Sequence, residues 1–198
     1  RQDARDVLER ASARETAARV AAGALARGLL LEFGVDVGSH VVSLGGISAW
    51  PPSGVPLPDY DALPRPLNAA SDESPVRTLD HHRDPDIIAR IDQAKADGDT
   101  LGGSFEVIVT GVPVGLGSYV QWDRKLDGRL AQAVMSIQAI KGVGIGLGAG
   151  SASRPGSQVH DEILPPNAQG RPRRPTNHAG GLEGGVTNGE DVRVVGHM

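Results

Sequence analysis

The hydrophobic pattern opens with a long helical stretch. Ser12-Ala13-Arg14-Glu15 has the form of a capping box, in which the Ser12 hydroxyl and the Glu15 carboxylate satisfy each other's amides. The helix it starts is expected to run to about Phe33 and stop at Gly34. Its middle, Ala17–Ala26, is alanine and small aliphatics on nearly every side. Such a helix is expected to be buried inside a domain. Val35–Leu44 is rich in β-branched residues and predicts a strand. Asp84-Pro85 predicts the start of a second helix, with Asp84 as N-cap, Pro85 at the first helical position, and Ile87, Ile88, Ile91 and Ala94 as the buried stripe up to Gly98. Phe105–Thr110 alternates as a strand, with Phe105, Val107 and Val109 on one face. Leu126, Leu130, Val134 and Ile137 fall at helical spacing and predict a third helix over about Lys125–Gln138. Val192–Val195 reads as a strand. Long helices and strands without strict alternation favour an α+β fold over a doubly wound sheet.

Between these elements, Trp50–Pro66 carries six prolines, at 51, 52, 56, 58, 64 and 66, and is expected to be a surface excursion within a single domain covering 1–198. Asn167–Pro175 is a basic, proline-containing loop, and Gly180–Gly189 is glycine-rich. The 27 glycines and 14 prolines place much of the chain in turns, and with aromatics at only 3% the core must be built from Ala, Val, Leu and Ile.

Charge and cysteine content narrow the function classes. A net charge of −4 gives no electrostatic footprint for nucleic acid or an anionic membrane. With no cysteine, disulfides and thiolate metal sites are excluded. The longest apolar candidate, Ala17–Phe33, is interrupted by Arg19 and Arg27 and does not make a membrane span of about 18 residues.

Generic motifs mostly fail. The run Gly142–Gly148 alternates glycine with aliphatics, but no window fits G-x-G-x-x-G, and it follows a helix rather than a strand. Neighbouring His81 and His82 are expected in a solvated turn, and His160-Asp161-Glu162 in a loop without a metal. Arg10, Ser12 and Arg14 are more informative. They sit at a helix start, where free amides and the macrodipole already attract anions and guanidiniums add charge-assisted donors. The alternatives there are an ordinary capped start with solvated arginines and a phosphate or carboxylate site.

Five stretches, in order, carry a resemblance: Arg5–Ala24 (RDVLERASARETAARVAAGA), Ser74–Arg77 (SPVR), Gly98–Gly103 (GDTLGG), Leu126–Val143 (LDGRLAQAVMSIQAIKGV) and Thr176–Gly185 (TNHAGGLEGG). Together they resemble the chorismate synthase family over essentially the whole chain. The resemblance implies an α+β sandwich of helices between antiparallel β-sheets, assembled as a cytoplasmic homotetramer. It implies a 1,4-anti elimination of phosphate from 5-enolpyruvylshikimate 3-phosphate to chorismate in aromatic amino acid biosynthesis. Reduced FMN is required, and NADPH is the flavin reductant in some members. Residue by residue, Arg10, Ala11 and Ser12 match one FMN-contacting segment, Gln138 and Ala139 a second, and Gly184 a third. Arg14 matches an arginine facing the substrate's acidic groups.

The resemblance places the family's catalytic histidines upstream of Arg1. It places a Lys-Pro segment and a later arginine of the FMN site beyond Met198. The chain is therefore expected to be an internal portion of the family domain, inactive alone. Gly144, Leu147 and Ala149 stand where Glu, Asp and Phe are common, which is expected to loosen the 141–150 segment. Two alternatives accompany this reading: a non-catalytic, degenerate relative, and a generic flavin-binding module.

Overall fold

The computed structural model describes residues 3–11, 13–49, 63–166, 170 and 172–198, excluding the side chains of residues 6, 9, 10 and 13. The expected Ser12 cap and most of the Trp50–Pro66 excursion lie outside the described residues.

Two helices open the chain. Helix α1 spans Arg5–Ala11, and the Asp3 carboxylate closes its start by accepting from the Arg5 amide at 2.9 Å. Helix α2 spans Ala13–Glu32. It ends as its sequence predicts: Val35 donates to the Leu30 carbonyl (3.0 Å), Gly34 donates to Leu31 (2.9 Å), and Gly34 turns left-handed at φ 75°. This is the double hydrogen bond of a Schellman stop.

The expectation that α2 is buried is corrected. Val20, Leu25, Leu29 and Phe33 are 67%, 80%, 62% and 74% exposed. The helix is fastened at its ends instead. Glu15, Thr16 and Arg19 bond to Ser136 and Gln138, and Arg27 pairs with Asp36 at 2.9 Å. A helix apolar all round needs partners on every side, and the described residues do not supply them.

Strand β1 (Asp36–Leu44) leads into the two-residue β2 (Ile47–Ser48). Helix α3 (Leu67–Asp72) lies where the proline-rich stretch ends and was not expected from the sequence. Its Leu67 packs over Gly38 of β1, where an added Cβ would collide with it. Helix α4 spans Asp84–Ala96, but Asp84 is not its N-cap. A 3₁₀ turn, His81–Arg83, runs directly into the helix, and Asp80 caps that turn by accepting from the His82 amide at 3.2 Å. Asp84 is instead a buried first-turn residue whose carboxylate accepts from the Thr78 hydroxyl. Ile87 and Ala94 are buried as expected, and Ile88 is exposed.

Strand β3 is Gly103–Thr110, helix α5 is Leu126–Met135, and β4 is Gly142–Ile145. A hairpin, β5 (Leu182–Glu183) and β6 (Val186–Thr187), precedes β7 (Val192–His197). Five strands form one antiparallel sheet in the order β2-β1-β3-β7-β4, so the α+β class is as expected.

Each face of the sheet has its own apolar layer. On one, Val109, Val143, Ile145, Val192 and Val194 pack against Leu182 and the Leu126, Leu130 and Val134 stripe of α5. On the other, Ile108 packs with Leu63, Leu67 and Leu79. Burying a side chain such as Ile108 contributes roughly 1.5–3 kcal/mol.

Within the 141–150 segment that carries Gly144, Leu147 and Ala149, only Gly142–Ile145 is strand, and Leu147 and Ala149 fall in the turn and 3₁₀ helix that follow. Gly142, Val143, Gly144 and Ile145 pair in register with His197, Gly196, Val195 and Val194. Glycine is needed at 146: its φ is 57°, and a Cβ would strike the His178 carbonyl and the Gly180 amide of the loop lying on it. Within the glycine run, Gly146 therefore serves close backbone packing.

Candidate site at the junction of the long helix and the 138–139 turn

The site is built where two distant segments meet. Helix α5 ends at Met135, and Ser136 donates its amide to the Gln132 carbonyl at 3.0 Å. The chain then tightens: Ile137 donates to Val134 (3.1 Å) and Ile140 to Ile137 (3.2 Å). Buried Ile140, only 5% exposed, anchors the turn from below, and Lys141 donates to the His197 carbonyl (2.8 Å) to enter β4. Between these anchors Ala139 is held at φ 68°, with its residue exposed. A left-handed alanine costs about 1–3 kcal/mol and persists only where its surroundings over-determine it.

The first turn and a half of α2 docks here. Thr16 Oγ1 donates to Gln138 Oε1 at 3.0 Å, and Gln138 Nε2 donates to Glu15 Oε2 at 2.8 Å. Arg19 Nε donates to Glu15 Oε1 at 2.7 Å, and its Nη1 donates to Ser136 Oγ at 2.7 Å. Arg14 is exposed in the same first turn, and exposed Ala11 is the last residue of α1, just before the junction. The structure thus brings the first turn of α2, which carries Arg14, against Gln138 and the turn at Ala139, while Ala11 ends the preceding helix. Arg10 lies in the last turn of α1 rather than at the helix start expected, with its side chain outside the description, and Ser12 lies outside the described residues.

Gly184 is placed elsewhere. It forms the turn of the β5–β6 hairpin with Gly185, at φ 63° and 93°, the left-handed pair that a two-residue hairpin of this twist requires. The hairpin tip is tied to the start of α5: Leu126 donates to the Gly185 carbonyl at 2.9 Å. Beside the turn, Glu183 pairs with Arg174 at 2.6 Å. Gly184 and Gln138 therefore stand at opposite ends of α5, separated by about 15 Å of helix. A Cβ added at Gly184 would meet nothing within 4 Å, so its backbone is open to an approaching group.

The histidines set aside from the sequence fall as follows. His81 and His82 are exposed in their 3₁₀ turn. Beside His160, the Asp161 carboxylate accepts from Thr176 Oγ1 (2.6 Å) and from the amides of His178 (2.7 Å) and Ala179 (2.9 Å). These bonds fix the loop that covers Gly146, so Asp161 acts structurally. Among the described residues no group of three or more His, Asp or Glu is arranged to hold a metal, and no helix is long and apolar enough to cross a membrane.

Sequence reasoning missed a buried ionic triad. His40, Glu106 and Arg193, on β1, β3 and β7, are all at most 4% exposed. Glu106 bonds His40 Nε2 at 3.1 Å through one carboxylate oxygen and Arg193 at 2.5 Å through the other. Burial pulls the Arg193 guanidinium down to about 9, which leaves it cationic at neutral pH and the ion pair intact. The available signal was a titratable residue within each of three strands, His40, Glu106 and Arg193. Also missed was that Glu15 spends its carboxylate on Gln138 and Arg19.

The whole chain, residues 1–198, matches the family model for chorismate synthase. The chorismate synthase of Brevibacillus brevis is 56% identical over 196 residues, covering 99% of this chain and 48% of that protein. That of Saccharopolyspora erythraea is 55% identical over 195 residues, covering 98% of this chain and 46% of that protein. A solved crystal structure of chorismate synthase superposes with a TM-score of 0.89 at 47% identity, covering 100% of this chain and 59% of that one. The chain spans about half the length of the curated relatives it matches. Matched from its first residue to its last in sequence and across its full length in fold, the chain belongs to the chorismate synthase family.

Proposed function

We propose that the protein carrying this chain is a chorismate synthase in activity. It eliminates phosphate from 5-enolpyruvylshikimate 3-phosphate: the C–O bond to phosphate breaks, a ring C–H gives up its proton, and chorismate forms with no net redox change. The observation that carries the reading is the docking of the α2 start onto the 138–139 turn, across 122 positions of sequence. It sets an exposed arginine at the positive end of a 20-residue helix beside an exposed left-handed backbone.

The residues present fit an anionic, ring-bearing cofactor. An open glycine turn at Gly184 and the exposed backbone of Ala139 allow a flat ring to approach main chain. The first turn of α2, from Ala13, adds helix-start amides suited to a phosphate, and Arg10, Ala11 and Ser12 of the resemblance precede it in sequence. These residues would hold FMN, which in its reduced form supplies electron density on loan to the elimination. Arg14 would orient the substrate by charge-assisted hydrogen bonds to its phosphate or carboxylates. His40 is fully buried in its triad and is not available to substrate as a general acid or base. Those roles fall to histidines outside this chain. A cytoplasmic homotetramer completes the reading, with NADPH the reductant where the protein reduces its own flavin.

The test is phosphate release by the full-length protein under anaerobic conditions. Release is expected with reduced FMN and not with oxidised FMN or none, and chain 1–198 alone is expected to release nothing. Flavin-free turnover would contradict the proposal.

A further inference from the structure

We infer that Glu15 is a positioning residue for the 138–139 turn, and that the Gln138 side chain is its fastener rather than a flavin ligand. This rests on the flavin reading above.

Both ends of the Gln138 amide are engaged within the chain: Oε1 accepts from Thr16 and Nε2 donates to Glu15. Glu15 in turn holds Arg19, and Arg19 reaches back to Ser136, the residue that caps α5. The five side chains close a loop between one turn of α2 and the three residues leading into Ala139. That loop supplies what a left-handed alanine needs, a surrounding frame that leaves it no other conformation. A ligand at this turn therefore meets the main chain of 138–139. The amide of Gln138 acts only by holding that main chain against the α2 start, where Arg14 is carried.

Arg19 has a second effect in the same loop. A carboxylate in the first turn of α2 would repel an anion bound at that helix start. Glu15 is 26% exposed in its side chain and lies 2.7 Å from the Arg19 guanidinium, which neutralises it. The acid can then serve as a fastener without spoiling an anion site.

The experiment is an equilibrium titration of the full-length protein with FMN, read by flavin fluorescence, alongside kcat at saturating reduced FMN. Glu15→Ala is expected to raise the FMN Kd about tenfold, the size of one lost charge-assisted hydrogen bond. With flavin saturating, kcat should stay within about twofold of the parent, because the residue acts on binding geometry. Gln138→Ala should give the same rise, and the double variant should be no worse than either alone. Glu15→Gln, which keeps an acceptor oxygen, should recover part of the affinity. If Glu15→Ala does not fold, Thr16→Val removes the other bond to Gln138 with little change of shape, and its FMN Kd must also rise. Additive losses in the double variant would mean that Gln138 touches the flavin directly and would overturn the inference. So would a lowered melting temperature with an unmoved FMN Kd. Failure of the unaltered protein to bind FMN would instead overturn the flavin reading itself.

Discussion

Replacing Glu106 with alanine is expected to destabilise the protein by about 3–5 kcal/mol, the cost of removing one partner from a buried ion pair. The side chain is 2% exposed and bridges His40 on one neighbouring strand and Arg193 on the other. Its removal leaves a guanidinium, itself 5% exposed, in the sheet layer without its carboxylate. The carboxylate's charge matters as well as its shape. Glu106→Gln keeps the volume and an acceptor but withdraws the negative charge that balances Arg193, and should recover only part of the loss. Exposed pairs give the contrast. Arg19 and Glu15 are 41% and 26% exposed, and pairs of that kind contribute typically under about 1 kcal/mol to stability. Urea unfolding of the full-length variants measures both. A loss under about 1 kcal/mol for Glu106→Ala would show that the triad is not an integral part of the sheet.

Reversing the charge of Arg14 is expected to weaken binding of the phosphorylated substrate by roughly a hundredfold or more. One charge-assisted hydrogen bond contributes about 1.5–3 kcal/mol, and each 1.4 kcal/mol is a factor of ten. Arg14→Glu removes those bonds and adds repulsion at a helix start that otherwise favours anions. Arg14→Lys should fall between, because a point charge cannot reproduce the bidentate fork. Arg14 is an exposed residue, so the folded state should change little in any of these variants. Binding is read by calorimetry with the substrate, and folding by circular dichroism. Unchanged affinity in Arg14→Glu would remove this residue from the substrate site.

The elements that were legible in the sequence are those whose signals are local. Gly34 and Gly98 stop α2 and α4 as expected, with φ of 75° and 68°. Strands β1, β3 and β7 follow their β-branched alternation. Local signals misled where neighbouring structure decided the outcome. Asp84 has the composition of an N-cap, but the 3₁₀ turn before it continues into the helix and Thr78 takes its carboxylate. Helix α3 has only six residues, too few for a period to show.

The composition of α2 reports which partners it suits, not whether this length of chain contains them, so its exposure could not be read. At the site, the resemblance named Gln138 and Ala139 but nothing in the sequence tied them to Glu15 and Thr16. That tie exists only because α5 returns the chain to the start of α2. The triad is hidden for the same reason: residues 40, 106 and 193 meet only through strand register.

The central claim is that the start of α2 and the 138–139 turn form one wall of a flavin site, with the Gly184 turn at the far end of α5. Backbone hydrogen exchange of the full-length protein, with and without reduced FMN, tests it most directly. Added protection is expected in three separate stretches, at residues 10–16, 137–141 and 182–186. Protection confined to other segments, with these three exchanging at unchanged rates, would contradict it.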